Sequence, residues 1–177
     1  MSAATYRLLN LLLLGALFAG SMLVYPTLPE RFPRHFDLSG QPDGWMERSV
    51  LSWLLLPMIA AAMAGLLEVM TRASARNPSL WNVPDKKRFL ALTPAEQAPI
   101  VRLLQDYMGM VGTASIALLM LVQAAVYDSA TSPTPAISPY VMVGVGLHLA
   151  ILLATGWRMN RRISALIADA YRRRAAI

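Results

Sequence analysis

The chain has 177 residues, of which 56% are hydrophobic and only 15% are charged, and its formal net charge is +6. Soluble domains carry about a quarter of charged residues, so this composition argues against a soluble globular protein. The sequence contains no cysteine, which excludes disulfides, thiolate metal sites and cysteine nucleophiles.

The apolar residues are concentrated in four blocks. They cover about residues 8–26, 50–70, 107–127 and 137–157. Each block is close to the ~20 residues that a helix needs to cross ~30 Å of hydrocarbon, and no alternating pattern indicates strands. The first block exceeds the apolar core of a signal peptide, so we expect it to remain as a span. The sequence therefore predicts an all-α integral membrane protein with four transmembrane helices, forming a single membrane domain over residues 1–177.

The charged residues between these blocks predict an orientation. The loop of residues 27–49 holds three basic and four acidic side chains, and the last connection between spans holds only Asp128. By contrast, the loop of residues 71–106 holds six basic side chains, and residues 158–177 hold six arginines. The positive-inside rule then places both termini and the 71–106 loop in the cytoplasm of a bacterial inner (plasma) membrane. We expect the arginines to contact the lipid bilayer, with no nucleic-acid partner.

The extracytoplasmic loop is rich in proline and in turn-forming residues. Pro29 and Pro33 bias the residues before them towards extended backbone. Residues 39–44 are a dense cluster of turn formers, and the flanking segments 34–38 and 45–48 are short enough to pair as a small hairpin. The loop is therefore predicted to be a compact cap on the membrane surface.

One cytoplasmic helix is marked by a capping signal. Thr93 is suited to the N-cap, Pro94 to the first helical position and Glu96 to the third, which is a capping box. We predict that this helix begins near Thr93 and continues into the third span. Pro99 lies inside it and is expected to bend the helix or to move its start.

The C-terminal segment 158–177 is predicted to be an amphipathic cytoplasmic helix. Its apolar residues follow helical spacing, and its arginines lie mostly off that stripe. Two placements are open for it: the helix lies flat on an anionic leaflet, or it packs on the central loop. The stripe consists of Ile163, Leu166, Ile167, Ala170 and Tyr171.

Few polar side chains fall within the predicted spans. Glu68 lies near the cytoplasmic end, where its carboxylate can reach the interface. Gln123 is expected to form a hydrogen bond between helices. His148 lies near mid-span, where it is either a neutral imidazole bonded to a neighbouring helix or a proton relay or ligand contact. The small residues Ala61 and Gly65 are expected to let helices approach closely.

The cap also holds the candidate metal ligands. His35, Asp37 and Asp43 could approach one another across the hairpin, and nitrogen and oxygen ligands of this kind hold divalent ions. Their spacing fits no recognised metal motif. In the alternative interpretation Asp43 caps the turn and His35 bonds to loop backbone. No nucleophile has an evident activating partner, so we expect no catalytic residue and no cofactor.

The cap sequence resembles a known family. The run Tyr25-Pro26, Leu28-Pro29, Phe32-Pro33, His35-Phe36, Gly40 and Pro42-Asp43-Gly44-Trp45 is similar to the N-terminal membrane domain of the SdpI family. Members of that family are immunity proteins against a sporulation-delaying toxin. Arg48 stands where lysine is commoner in the family. The resemblance covers about the first two spans and their loop, and the C-terminal part of the longer SdpI chains does not map onto this sequence.

The resemblance implies a non-enzymatic protein of the binding, immunity or envelope-stress sensing kind. A peptide toxin or a membrane-protein partner would be its ligand, and the oligomeric state stays open. The alternative is a small transporter or a membrane-enzyme accessory subunit. The candidate residues of the cap motif are Pro29, Pro33, His35, Asp37, Gly40, Asp43, Trp45 and Arg48, and the intramembrane candidates are Gln123 and His148.

Overall fold

A computed structural model of the protein describes residues 2–175. These residues form six helices and a two-stranded antiparallel sheet. Four helices are long and apolar enough to cross a membrane. The prediction of an all-α membrane protein with four spanning helices and a small hairpin is therefore confirmed. The elements are α1 (Ala3–Val24), β1 (Arg31–Phe36), β2 (Pro42–Glu47), α2 (Val50–Trp53), α3 (Leu55–Arg76), α4 (Lys86–Leu90), α5 (Pro94–Thr131) and α6 (Pro139–Ala175).

Helix α5 is the centre of the bundle, because α1, α3 and α6 all pack against it. Helices α1 and α5 run parallel: the hydroxyl of Thr113 donates to Asn10 Oδ1 at 2.6 Å, and the hydroxyls of Thr27 and Tyr127 lie 2.9 Å apart at the far end. Helix α6 runs antiparallel to α5, since the Tyr107 hydroxyl donates to the carbonyl of Leu152 at 3.4 Å, whereas Leu121, later in α5, lies beside Gly144, earlier in α6. Helix α3 runs antiparallel to α1, because Glu68 near its end contacts Arg7 near the start of α1, and Trp53 just before it contacts Ser21. Successive spans therefore alternate in direction.

This alternation gives the bundle two different ends. We name the end that carries β1, β2 and the turn before α6 the cap end. The opposite end carries α4, the start of α5 and the last turns of α6, and we name it the basic end because most arginines and lysines lie there. The first and last described residues both lie at the basic end. The side of the membrane on which each end lies stays a prediction from the charges.

The hairpin is held to the bundle by aromatic and backbone contacts. Phe32 of β1 packs edge-on against Trp53, with ring centroids 5.4 Å apart. At the hairpin turn, Gly40 has φ +82°, a left-handed conformation that favours glycine. Its carbonyl accepts a hydrogen bond of 2.8 Å from the backbone N–H of Ile137, which lies just before α6. The cap is therefore fixed both to α2 and to the α5–α6 connection.

Helix α5 begins where the capping signal predicted. The Thr93 side chain accepts from the N–H of Glu96, and the Glu96 carboxylate accepts from the N–H of Thr93 at 2.8 Å. Pro99 does not move the start, because it lies inside a helix that runs without interruption from Pro94. The 38 residues of α5 make it about 57 Å long at 1.5 Å per residue, well beyond a hydrocarbon core of about 30 Å.

Outside the spans, the basic end has a small core of its own. The stripe of the C-terminal segment is buried in it, with Ile163 0% and Ile167 2% exposed, against Phe89 of α4 and Ile100 and Leu104 of α5. The second of the two placements is therefore the observed one: the segment is the continuation of α6 and packs on the central loop. Residues 176 and 177 of the predicted helix lie outside the described residues.

An ion pair closes this basic-end core. Arg174 donates to both carboxylate oxygens of Glu96, with Nε lying 2.9 Å from Oε1. This contact, followed by the hydrogen bonds from Thr93, lowers the pKa of Glu96 to about 2. The Tyr171 hydroxyl donates to the carbonyl of Arg88 at 3.2 Å. The last turns of α6 are therefore joined to both α4 and the start of α5.

Candidate functional site

The hairpin brings two of the three candidate metal ligands together. His35 Nδ1 lies 2.5 Å from Asp43 Oδ1, and both side chains are largely exposed, at 70% and 47%. The pair joins the two strands near the paired positions of His35 and Gly44. Because water screens exposed pairs, it contributes little to stability, typically about 0–1 kcal/mol. It offers an acid–base pair on the surface of the cap.

Asp37 has a different role. Its Oδ1 accepts from the N–H of Ser39 at 2.8 Å, from the Ser39 hydroxyl at 2.7 Å and from the N–H of Gln41 at 2.9 Å. The Ser39 hydroxyl, followed by the N–H of Gln41, lowers the pKa of Asp37 below its usual value. This carboxylate therefore organises the hairpin turn. Within residues 2–175 no group of three His, Cys, Asp or Glu side chains is arranged to hold a metal ion.

Three other residues of the cap motif contribute to its architecture. Pro33 is almost fully buried and pairs with Trp45 across the sheet, and the Trp45 side chain is 43% exposed. Arg48 donates from Nη1 to the carbonyl of Leu28 at 2.6 Å, and its backbone N–H donates to the carbonyl of Glu30. Arg48 therefore fastens the open end of the hairpin.

Pro29 and Gly40 also serve the shape of the cap. Pro29 is exposed and follows Leu28, which is only 2% exposed and packs in the cap-end core with Phe32 and Trp53. A Cβ at Gly40 would lie 2.5 Å from the carbonyl oxygen of Ile137, so this position also requires glycine for space. The motif therefore holds more residues that build the cap than residues free to bind a ligand.

Beneath the cap lies a cavity of about 320 Å³. Its walls come from β1, β2, α2, the start of α3, the last turns of α5 and the first turns of α6. Arg34 and His35 stand on the hairpin side of the cavity and are exposed, whereas most of its wall is hydrophobic. Ligand pockets of small molecules begin near 300 Å³, so the volume suits an apolar side chain or a short apolar segment. The apolar wall includes Phe32, Phe36, Met46, Trp53, Val126 and Val145.

Gln123 lies in the wall of this cavity and forms a hydrogen bond with a backbone carbonyl that Pro57 leaves without its helical donor. Proline has no backbone N–H, so the carbonyl four residues earlier, that of Trp53, lacks its helical donor. The chain is also interrupted at Leu54, between α2 and α3. Gln123 is 6% exposed, and its Nε2 donates to the Trp53 carbonyl at 3.2 Å. The predicted hydrogen bond between helices is present, and it compensates for the proline.

His148 is not part of the cap. It lies on α6 one turn beyond Val145, which lines the cavity, on the side of the basic end. Its Nε2 is buried and makes no hydrogen bond within the part of the chain that the structure describes. The predicted bond to a neighbouring helix is thus not seen at this nitrogen. A proton relay or a ligand contact at His148 stays a prediction.

Several cavity residues were not singled out from the sequence. Trp53, Val126 and Val145 lie inside apolar blocks, where any residue could face lipid or protein. Trp53 carries the one signal that could have been used, because its indole N–H needs a partner in an apolar environment. It donates to the carbonyl of Ser21 at 2.8 Å and so connects α1 to α2.

Fold and site together define a class: a multi-pass membrane protein with four spanning helices and a hairpin cap over an apolar cavity. Residues 11–61 match the family model of a domain of unknown function, DUF1648. This segment holds most of α1, the whole hairpin and the start of α3. It coincides with the region that resembles the SdpI N-terminal domain, although the match itself does not name SdpI.

A relative is found among the archaea. Over 80 residues the chain is 31% identical to an uncharacterized protein of Archaeoglobus fulgidus, covering 43% of each chain. The chain therefore spans less than half the length of the curated relative it matches. No solved structure matches this chain. Neither the matching family model nor this relative has an assigned activity.

Proposed function

We propose that this protein is a non-enzymatic binding protein of a bacterial inner membrane, whose cap and underlying cavity hold an apolar part of a membrane-active peptide. The observation that carries the proposal is the cavity of about 320 Å³, with hydrophobic walls and with Arg34 and His35 on its hairpin side. Such a site combines apolar burial with a few polar groups that orient a ligand, as binding pockets commonly do.

The resemblance to the SdpI family supports immunity to such a peptide as the concrete version. A protein of this kind would hold the peptide at the membrane surface and keep it from inserting. In the envelope-stress sensing version, binding of the peptide at the cap would change the arrangement of the helices and so pass a signal to the basic end. The carboxylate of Asp43 beside His35 provides a polar partner for the water-facing side of the peptide.

A cavity-filling pair of variants tests the proposal. Val145→Phe places a ring in the cavity, whereas Val143→Phe adds the same ring on a face of α6 that is 67% exposed. Bacteria expressing the wild type or Val143→Phe should survive a panel of membrane-active peptides better than cells without the protein. Val145→Phe should remove that protection, and His35→Ala with Asp43→Ala should reduce it. Equal survival of cells with and without the protein would refute the proposal.

The proposal also requires the cap to face outward. The sequence has no cysteine, so a single introduced cysteine reports its side of the membrane without background. Leu38, 97% exposed at the hairpin turn, and Ser164, exposed near the end of α6, are suitable positions. In intact cells an impermeant maleimide should label Leu38→Cys and not Ser164→Cys. The reverse labelling would contradict the orientation.

The second candidate function is a small transporter or an accessory subunit of a membrane enzyme. His148 favours it, because its buried Nε2 makes no hydrogen bond within residues 2–175 and a histidine inside a span is a candidate proton relay or ligand contact. Vesicles containing the protein should show proton-coupled uptake if it is a transporter, and His148→Asn should abolish that uptake. Cross-linking to a co-purifying enzyme would support the accessory role.

A further inference from the structure

A second cavity, of about 370 Å³, lies between α1, α3 and α5 at the basic end, away from the cap. The function proposed above does not use it. Its polarity changes along the helices. Towards the middle of the bundle its walls are small or apolar, formed by Leu14 of α1, Ala61 of α3 and Gly112 of α5. Towards the basic end they include Arg7, Glu68 and Arg72.

The charged mouth has a surplus of positive charge. Glu68 Oε1 lies 2.8 Å from Arg7 Nε and 2.5 Å from Arg72 Nε, so one carboxylate faces two guanidinium groups. Arg7 Nε is buried and, although it lies close to Glu68 Oε1, it makes no hydrogen bond among the described residues. A guanidinium has five N–H donors in a fork that suits phosphate. One contact through Nε leaves most of those donors available, and the net charge of the three groups is +1.

The apolar part of the cavity is open rather than closed by packing. Gly65 lines the cavity, and a Cβ added at this position would have no atom within 4 Å. The expected close approach of helices at Gly65 is therefore not seen. The helical rise from Arg7 to Leu14 corresponds to about 10 Å of depth below the charged mouth. This depth is about two thirds of the ~15 Å of hydrocarbon in one leaflet. The groove, apolar within and cationic at its mouth, can therefore hold the upper part of one acyl chain of an anionic lipid together with its phosphate.

We infer that this cavity binds an anionic phospholipid of the surrounding bilayer, with the phosphate on Arg7 and Arg72 and one acyl chain against Gly65. Charge complementarity at the mouth selects the head group, and the small residues make room for the chain. Glu68 offsets part of the positive charge at the mouth, so it lowers the affinity of the two arginines for the phosphate. Any bilayer contacts the outer surface of the spans, but this site takes one lipid between three helices.

The test uses the full-length protein in detergent, with bound lipid counted by native mass spectrometry during titration with phosphatidylglycerol. Phosphatidylcholine and inorganic phosphate are the comparison probes. One phosphatidylglycerol should bind per chain, and phosphatidylcholine should bind at least tenfold more weakly, because its charge is balanced. Inorganic phosphate at equal concentration should not displace the lipid. Equal binding of both lipids, or displacement by phosphate, would overturn the inference.

Matched variants locate the site. Gly65→Leu fills the cavity and should abolish stoichiometric binding. Gly15→Leu is the control, because Gly15 also has open space around it but does not line the cavity. Arg72→Gln should weaken binding about tenfold through loss of a charge-assisted bond, whereas Arg76→Gln, one turn further along α3 and outside the lining, should not.

A merely structural role of the ion pairs makes a different prediction. If Glu68 and the arginines only held helices together, Glu68→Gln and Arg72→Gln would impair the protein in the same direction. A lipid site predicts opposite signs, with Glu68→Gln binding phosphatidylglycerol more tightly than the wild type. Circular dichroism of each variant verifies that the helices are intact. Unchanged binding by Gly65→Leu, or weaker binding by Glu68→Gln, would refute the lipid site.

Discussion

The hydrogen bond from Gln123 to the Trp53 carbonyl gives the sharpest prediction, because its cause can be removed separately. Gln123→Met keeps an unbranched side chain of similar length but has no donor for that carbonyl. An unsatisfied buried carbonyl costs about 1–3 kcal/mol in water-soluble proteins. Hydrogen bonds between membrane helices average about 0.6 kcal/mol, with a maximum near 1.7. We therefore expect Gln123→Met to lower the free energy of unfolding by about 1 kcal/mol.

The companion change is Pro57→Ala, which returns a backbone N–H four residues after Trp53. With that donor present, the carbonyl no longer depends on Gln123. The loss caused by Gln123→Met should then fall well below its value in the wild-type background. Unfolding in mixed detergent micelles, followed by circular dichroism for the four proteins of this double-mutant cycle, measures the coupling. Equal losses in both backgrounds would show that Gln123 does not act through the proline-freed carbonyl, and would refute the reasoning.

Three further changes have defined outcomes. Gly40→Ala should destabilise the cap by at least the ~1–2 kcal/mol cost of a left-handed residue, since its Cβ would also lie 2.5 Å from the oxygen of Ile137; faster proteolysis of the hairpin measures this. Ile163→Ala should cost about 2–5 kcal/mol in thermal unfolding, because the side chain is fully buried in the basic-end core. The stabilisation due to the ionised Glu96 should be complete above pH 4.5 and lost as the pH falls towards 2, since Arg174 and Thr93 lower the pKa of Glu96 to about 2. In Glu96→Gln the melting temperature should therefore change less with pH between 4.5 and 2 than it does in the wild type.

Each of these changes has a control in the same chain. Gly20→Ala, at a position with open space, should leave the hairpin resistant to protease. Leu153→Ala, at a position 76% exposed, should unfold close to the wild-type temperature. Arg174→Gln should flatten the pH dependence in part, because the hydrogen bonds from Thr93 to Glu96 remain. Proteolysis or melting that does not distinguish the first two variants from their controls would contradict those contacts, and a pH profile left unchanged by Arg174→Gln would contradict the ion pair.

Much of the architecture follows from local rules that the sequence displays. Apolar length fixes the number of spans, and the Thr93–Glu96 capping box fixes the start of α5. The turn formers around Gly40 predict a hairpin, and the structure contains one, with strands Arg31–Phe36 and Pro42–Glu47 that begin earlier than the predicted segments 34–38 and 45–48. These features depend on neighbours a few residues apart, so a single sequence is enough to read them.

The site was harder to predict because it depends on distant residues. Proximity in the sequence groups His35, Asp37 and Asp43, but the Asp37 carboxylate accepts hydrogen bonds from the backbone of the hairpin turn and does not join the other two. Gln123 could be expected to bond across helices, yet its partner, the carbonyl of Trp53, is 70 residues away and is free only because of Pro57. Gly65 suggested close packing, and the structure instead has open space there. Small residues permit approach without requiring it.

The central position of α5 has a consequence for how the protein is made. Helices α1 and α3 contact each other less than either contacts α5, which the ribosome synthesises after both. The first two spans therefore have only a small surface in common until the third is made and packs against both of them and against β1. Assembly of this membrane domain is governed by its third helix, and the segment of residues 11–61, though recognisable by its sequence, needs a later part of the chain to complete its tertiary structure.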